Sequence, residues 1–206
     1  MRIDRILPVR NKPGRVTVHF EDSSLLQLTE QEVLDFGLRP GDEPDEATLA
    51  RMKKAAGISG TRITAAELVG KRAMSRRELE RKLRDKGAPE TEAQYAAEWL
   101  EAIGAIDDAA YAAALVRHHG AQGYGPGWIR EKLREKGVSR DLWEEALEQL
   151  PPPEEHIDRW LERRWKGAAP DPAEVKRAAA ARVRRGFSWS DVRSALTRYT
   201  DDQPED

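Results

Sequence analysis

The sequence predicts a mainly α protein built of tandem three-helix repeats behind a small N-terminal β-containing extension. Three observations carry that prediction. A helix-start signature recurs along the 206-residue chain: Ser, Thr or Asp, then an acidic residue three positions later. A basic helix that ends in glycine is written twice, at an offset of fifty residues. Only the first 28 residues hold short β-prone runs punctuated by turn residues.

Taken in order, IDRILPV and RVTVHF flank the turn signal NKPG, and SSLLQL follows EDSS, which predicts strands. Thr29 and Glu32 then form a capping box, with Leu28 placed to staple onto Val33. Gly37 and Pro40-Gly41 end that helix, and a second short one is expected from about Asp45 to Ala56. Further starts are marked by Thr64 with Glu67, Ser75 with Glu78, Asp107, Asp171 with Glu174, and Ser188 with Asp191. Stops are marked by Gly87, Gly104, Gly137, Gly167 and Gly186. The spacing predicts helices over about 64–73, 75–86, 90–103, 107–120, 127–136, 139–149, 153–165, 172–185 and 188–199.

The repeat is explicit. Leu79, Lys82, Leu83, Arg84, Lys86 and Gly87 correspond to Ile129, Lys132, Leu133, Arg134, Lys136 and Gly137. A third, weaker copy ends in VRRGF, with Gly186 in the glycine position, and VSRDLWEEAL aligns with FSWSDVRSAL. The expected organisation is an extension over 1–62, three-helix repeats over 63–123 and 124–167, a partial third repeat over 168–200, and an acidic tail, 201–206.

Composition narrows the function. The chain has no cysteine, which excludes disulfides, thiolate metal sites and a thiol nucleophile. The N-terminus lacks the apolar core of a signal peptide, and no run of about 18 apolar residues is present. A cytoplasmic protein without a membrane partner is expected. The formal net charge of −2 argues against coating nucleic acid by bulk attraction, but the charge is segregated. Residues 71–86 and 159–185 are basic, whereas 141–155 and the tail are acidic.

Enzyme chemistry finds no support. GAQGYGPG at 120–127 has no following Gly-Lys-Ser/Thr and no preceding strand, so it reads as a flexible connection ending at Pro126. Asp107 and Asp108 fit a helix cap better than a catalytic pair. The histidines, His19, His118, His119 and His156, lack the spacing of metal ligands. No catalytic residue, metal site or cofactor is expected.

The informative surface is basic. With Leu79 and Leu83 facing inward, Arg77, Arg81 and Arg84 fall together on the outer side. In the second copy Arg130 and Arg134 face outward with Glu131 between them. Such arginine forks suit carboxylates and phosphates alike, and each residue taken singly also fits an ordinary solvated helix. Most of the six tryptophans should be core, with Trp128 and Trp165, beside basic residues, as candidates for contact.

Four pieces in a fixed order carry a family resemblance. They are S-x-x-E-L-x-x-K-L-x-x-K-G at 75–87, A-I-D-D-x-x-Y at 105–111, I-x-x-K-L-x-x-K-G-V at 129–138 and R-R-G-F-S at 184–188. This pattern resembles the RecX family of RecA regulators, and GRVTVHFED with LDFGLRPGD resembles the extension of its longer members. The third copy departs from the family pattern at Arg182, where a large apolar residue is usual four before the glycine. Either the helix rotates to bury Val175, Ala179 and Val183, or Arg182 reaches a partner.

The resemblance implies an elongated, curved array of three-helix repeats. It also implies a monomeric, non-catalytic regulator whose partners are the RecA recombinase and the RecA–DNA filament, with at most weak direct contact to DNA. Arg77, Arg81, Arg84, Arg130, Arg134, Arg184 and Arg185 are the expected contact residues, facing acidic RecA surface, exposed DNA phosphate, or both. The competing reading is a helical DNA- or RNA-binding protein whose basic helix faces contact phosphates directly.

Overall fold

The computed structural model describes residues 1–201; apart from Asp201, the acidic tail lies outside the described residues. Strands β1 (Ile3–Pro8), β2 (Arg15–Phe20) and β3 (Leu25–Thr29) form an antiparallel sheet in sequence order. Val16 pairs with Leu28 and Val18 with Leu26. The period-two alternation buries Val16, Val18 and Phe20 on one face, where they meet Ile3, Leu28, Leu38 and Met52. Helix α1 (Glu30–Asp35) starts from the expected capping box. Glu32 N–H donates to Thr29 Oγ1 at 3.0 Å, and Thr29 N–H donates to the Glu32 carboxylate at 2.7 Å.

Helix α2 corrects the expectation of two separate helices. It runs unbroken from Glu46 to Lys71. Gly57 and Gly60 are not stops. A Cβ on Gly57 would sit 2.5 Å from Glu92 Oε1, so the missing side chain makes room for the Glu92 carboxylate, which accepts from the Thr61 hydroxyl at 2.8 Å. The Thr64 hydroxyl, expected to cap, instead donates back to the Gly60 carbonyl at 3.0 Å, an interior helix contact.

The remaining helices are α3 (Arg76–Asp85), α4 (Glu90–Ala102), α5 (Asp108–Ala121), α6 (Pro126–Glu135), α7 (Trp143–Leu147), α8 (Pro153–Trp165), α9 (Pro172–Arg184) and α10 (Trp189–Asp201). A 3₁₀ turn over Arg140–Leu142 leads into α7, so the helix expected over 139–149 is shorter and irregular. The caps at Ser75, Asp107, Asp171 and Ser188 accept from the backbone N–H three residues on, at 2.7–3.1 Å. Among the described residues, no helix is long and apolar enough to cross a membrane.

The chain divides into two compact units, Met1–Ile106 and Asp107–Asp206. In the first unit, a second core gathers Ala65 of α2, Leu79 and Leu83 of α3, and Ala93, Ala96, Ala97 and Leu100 of α4. The second unit holds two cores. One joins Ala112 and Val116 of α5 to Ile129 and Leu133 of α6 and to Ala146 and Leu147 of α7. The other joins Ile157 and Leu161 of α8 to Ala178 and Ala179 of α9 and to Val192, Ala195 and Leu196 of α10. Each glycine-terminated helix therefore shares its core with the helix before it and the one after it. The expected spans are displaced by one helix, and the third copy holds three helices because α8 joins it.

Candidate functional site

Six of the seven arginines singled out from the sequence fall on three equivalent helices, α3, α6 and α9, and Arg185 is the C-cap of α9. On α3, Arg77, Arg81 and Arg84 are all exposed and follow one face. Their backing is rigid: Leu79 and Leu83 are sealed, and Arg76 ties α3 to α4 through Glu101 at 2.7 Å and Glu98 at 3.4 Å. Glu80 joins the same arginine at 2.9 Å. Arg84 leaves the stripe to bridge Glu90 at 2.8 Å, whereas Arg77 and Arg81 have no ion pair among the described residues.

The second copy is more self-contained. Arg130 lies 3.1 Å from Glu144 of α7, and Arg134 bridges Glu131, the acidic residue that interrupts the stripe. That bridge, with the hydrogen bond foremost, holds Glu131 below the ordinary carboxylate range. Exposed pairs like these are screened by solvent and contribute little, so an anionic partner can recruit either arginine at small cost.

The third copy separates its two arginines. Arg184 is exposed and has no ion pair among the described residues. Arg185 is a structural residue: it donates to the Gln122 carbonyl at 2.6 Å and lies 4.9 Å from the Tyr124 ring centre. Tyr124 stacks on Trp128 at 3.8 Å, with His119 edge-on to Trp128 at 4.8 Å. Trp128, a contact candidate from sequence, is thus built into a half-buried aromatic stack. Trp165, the other candidate, packs at the edge of the third core, 5.2 Å from Tyr199. Trp189 is the tryptophan that faces solvent, 60 % exposed at the start of α10.

The GAQGYGPG segment is a junction rather than a flexible connection. Gly125 N–H donates to the Arg185 carbonyl at 2.7 Å, and Gly127 N–H to the Gly186 carbonyl at 2.9 Å. The glycines let two backbones meet, which composition alone cannot distinguish from flexibility.

The departure at Arg182 is resolved in the register. The positions eight and four before the glycine are buried in every copy: Leu79 and Leu83, Ile129 and Leu133, then Ala178 and Arg182. The helix does not rotate, and Val183 stays 40 % exposed. Arg182 is only 5 % exposed and lies 3.9 Å from the centre of the Trp160 ring. Burial, then Arg185, Arg163 and Arg164, push its pKa down to about 10, so it remains charged near neutrality. Burial also lowers the pKa of His156, aided by Arg182, Arg159, Arg163 and Arg185. This cationic cluster around Trp160 was missed from the sequence, where the departure at Arg182 was its one signal.

Nearby, Glu174 accepts from Arg177 at 2.7 Å and from Arg164 at 2.8 Å. Those bonds, Arg177 first, lower its pKa from 4.5 to about 2. The sign follows directly. The ionised form is favoured in the folded chain, so the contribution is complete above 4.5 and is lost as pH falls through about 2. In a carboxyl ¹³C titration Glu174 is expected to stay charged well below 4.5, and replacing both arginines by alanine should return its midpoint towards that value. No group of three or more His, Asp or Glu among the described residues is arranged to hold a metal.

Comparison with known proteins matches this architecture. A family model described as RecX, second three-helix domain, matches residues 107–147, the span of α5 to α7. A regulatory protein RecX of Pseudomonas entomophila is 33 % identical over 138 residues, covering 66 % of this chain and 89 % of that protein. One from Levilactobacillus brevis is 29 % identical over 150 residues, and the chain spans 56 % of its length and matches with 71 % of its own. A crystal structure of regulatory protein RecX superposes with a TM-score of 0.73 at 25 % identity, covering 96 % of this chain and 98 % of that one. With three helical cores in register, a sheet-bearing extension and this degree of kinship, the chain belongs to the RecX family.

Proposed function

We propose that this protein is a non-catalytic regulator that binds RecA and the RecA–DNA filament, and lowers ATP hydrolysis and strand exchange. It does so by occupying the filament groove or by blocking filament extension. The observation that carries this reading is the kinship with relatives named regulatory proteins. The repeated helices support it physically. A filament presents equivalent surfaces at intervals, and linked weak contacts gain from effective concentration. Arg77, Arg81 and Arg184, exposed and without an ion pair among the described residues, are the first candidates for those contacts. Arg84, Arg130 and Arg134 join by exchanging a surface carboxylate for a partner's. Arg185 contributes by holding the junction in place. The reading includes a monomeric protein acting in the cytoplasm.

The test is ATP hydrolysis by preformed RecA filaments on single-stranded DNA, titrated with this protein. Inhibition is expected, and replacing Arg77, Arg81 and Arg184 together by alanine should raise the half-inhibitory concentration roughly tenfold, as for loss of a few rim charges. Inhibition far below one copy per RecA subunit would point to blocked extension; inhibition only near stoichiometry would point to groove coating. Absence of inhibition, with tight and steeply salt-dependent binding to naked DNA, would replace this reading with direct nucleic-acid binding.

A further inference from the structure

We propose that the third repeat carries a recognition pocket for a carboxylate side chain of a protein partner, with Arg182 as the residue that pairs with it. Arg182 occupies a core position, the one held by Leu83 and Leu133 in the other copies, yet it brings a full positive charge there. Its guanidinium lies over Trp160 at 3.9 Å and 5.9 Å from the Phe187 ring centre. Nε is buried without an acceptor, and no described carboxylate pairs with this side chain. On the two helices that meet here, Glu174 is engaged by Arg164 and Arg177, and Asp158 by Arg198.

The surroundings make the lack of a counter-ion sharper. Arg163, Arg164 and Arg185 add positive potential at Arg182, and burial lowers the pKa of His156, which also feels Arg182. A cation–π contact offsets only part of the cost of desolvating a guanidinium. A fork with unused donors on an aromatic floor, among other cations, is matched by a planar carboxylate that accepts two bonds at once. Access decides between anions. Arg182 is only 5 % exposed, so any approach to it is narrow and favours a single side-chain tip. A DNA phosphate carries a sugar on each side and needs an open ridge, such as Arg184 offers.

This inference rests on the filament reading for the partner's identity, so its test has two arms. In the first, ¹⁵N-labelled protein is titrated with a short oligoglutamate and, separately, with an oligothymidylate of equal charge, following the Arg182 Nε–Hε cross-peak. In the second, binding to RecA-coated DNA is compared for the wild type, Arg182→Leu and Arg182→Lys. Oligoglutamate is expected to shift the cross-peak and oligothymidylate to leave it unmoved. Both variants should bind RecA-coated DNA about tenfold or more weakly, as when one partner of a desolvated charge pair is lost. Arg182→Leu should also melt higher than the wild type, since it restores the apolar residue of the other copies. Should Arg182→Leu fail to fold, Arg182→Lys keeps the charge and loses the fork, giving the same readout. A shift with oligoglutamate and no binding to RecA-coated DNA by the wild type would sink the filament reading and keep the pocket. Wild-type-like binding by both variants, or a shift with oligothymidylate alone, would overturn the pocket.

Discussion

Replacing Gly186 by alanine is expected to produce the larger of two main losses of stability. Gly186 has φ +88°, and an added Cβ would lie 2.3 Å from the Trp128 backbone nitrogen and 2.6 Å from Trp128 Cβ. The neighbour is the first turn of α6, anchored by the bonds from Gly125 and Gly127, and it cannot yield without breaking them. Left-handed strain of about 1–3 kcal/mol and overpacking of similar size add to a loss of roughly 4 kcal/mol. Gly87 provides the control. It holds the equivalent position with φ +92°, and nothing lies within 4 Å of its missing Cβ. Alanine there should cost only about 1–2 kcal/mol, from conformation alone. Urea denaturation of both variants measures the difference; equal losses would mean that the close approach between the second and third repeats contributes nothing.

The second large effect is expected at Arg72. Glu78 is 4 % exposed at the start of α3, and its carboxylate accepts from the Arg72 guanidinium, which stays 45 % exposed. Removing the arginine takes one charge-assisted partner from a buried carboxylate. Loss of a partner from a fully buried pair costs about 3–5 kcal/mol, and the open side of this pair reduces the figure to roughly 2. Arg72→Ala should therefore destabilise the first unit clearly, while Arg72→Ala with Glu78→Gln should recover part of the loss. A double-mutant cycle in urea gives the coupling, expected above about 1 kcal/mol for side chains in contact. Additive losses would mean that Glu78 is compensated by its other neighbours.

Both predictions concern contacts that the sequence did not announce, although much of the rest was written there. Thr29, Ser75, Asp107, Asp171 and Ser188 cap where they were expected to, because a cap is satisfied by a backbone N–H only three residues away. The inward positions Leu79, Leu83, Ile129 and Leu133 follow from helical periodicity alone. The offset of fifty residues announced the repeat but not its phase. A period is unchanged by where it is cut, and only packing shows that α5 belongs with α6 and α8 with α9.

The contact residues divide in the same way. The sequence by itself placed Arg77, Arg81 and Arg84 on one outer face. The tertiary structure decided that Arg84 bridges Glu90 and that Arg130 reaches Glu144, fourteen residues away. It also turned Gly57, Gly125 and Gly127 from apparent breaks into points where two elements touch. Glycine reads identically in both roles, because what it permits lies in the neighbour and not in the residue. At Arg182 the sequence determined that a charge stands in a core register. That this charge would be buried over Trp160 without an acid to meet it was decided only when α8 and α9 came together, since a buried cation's cost and its partners are properties of the packed site.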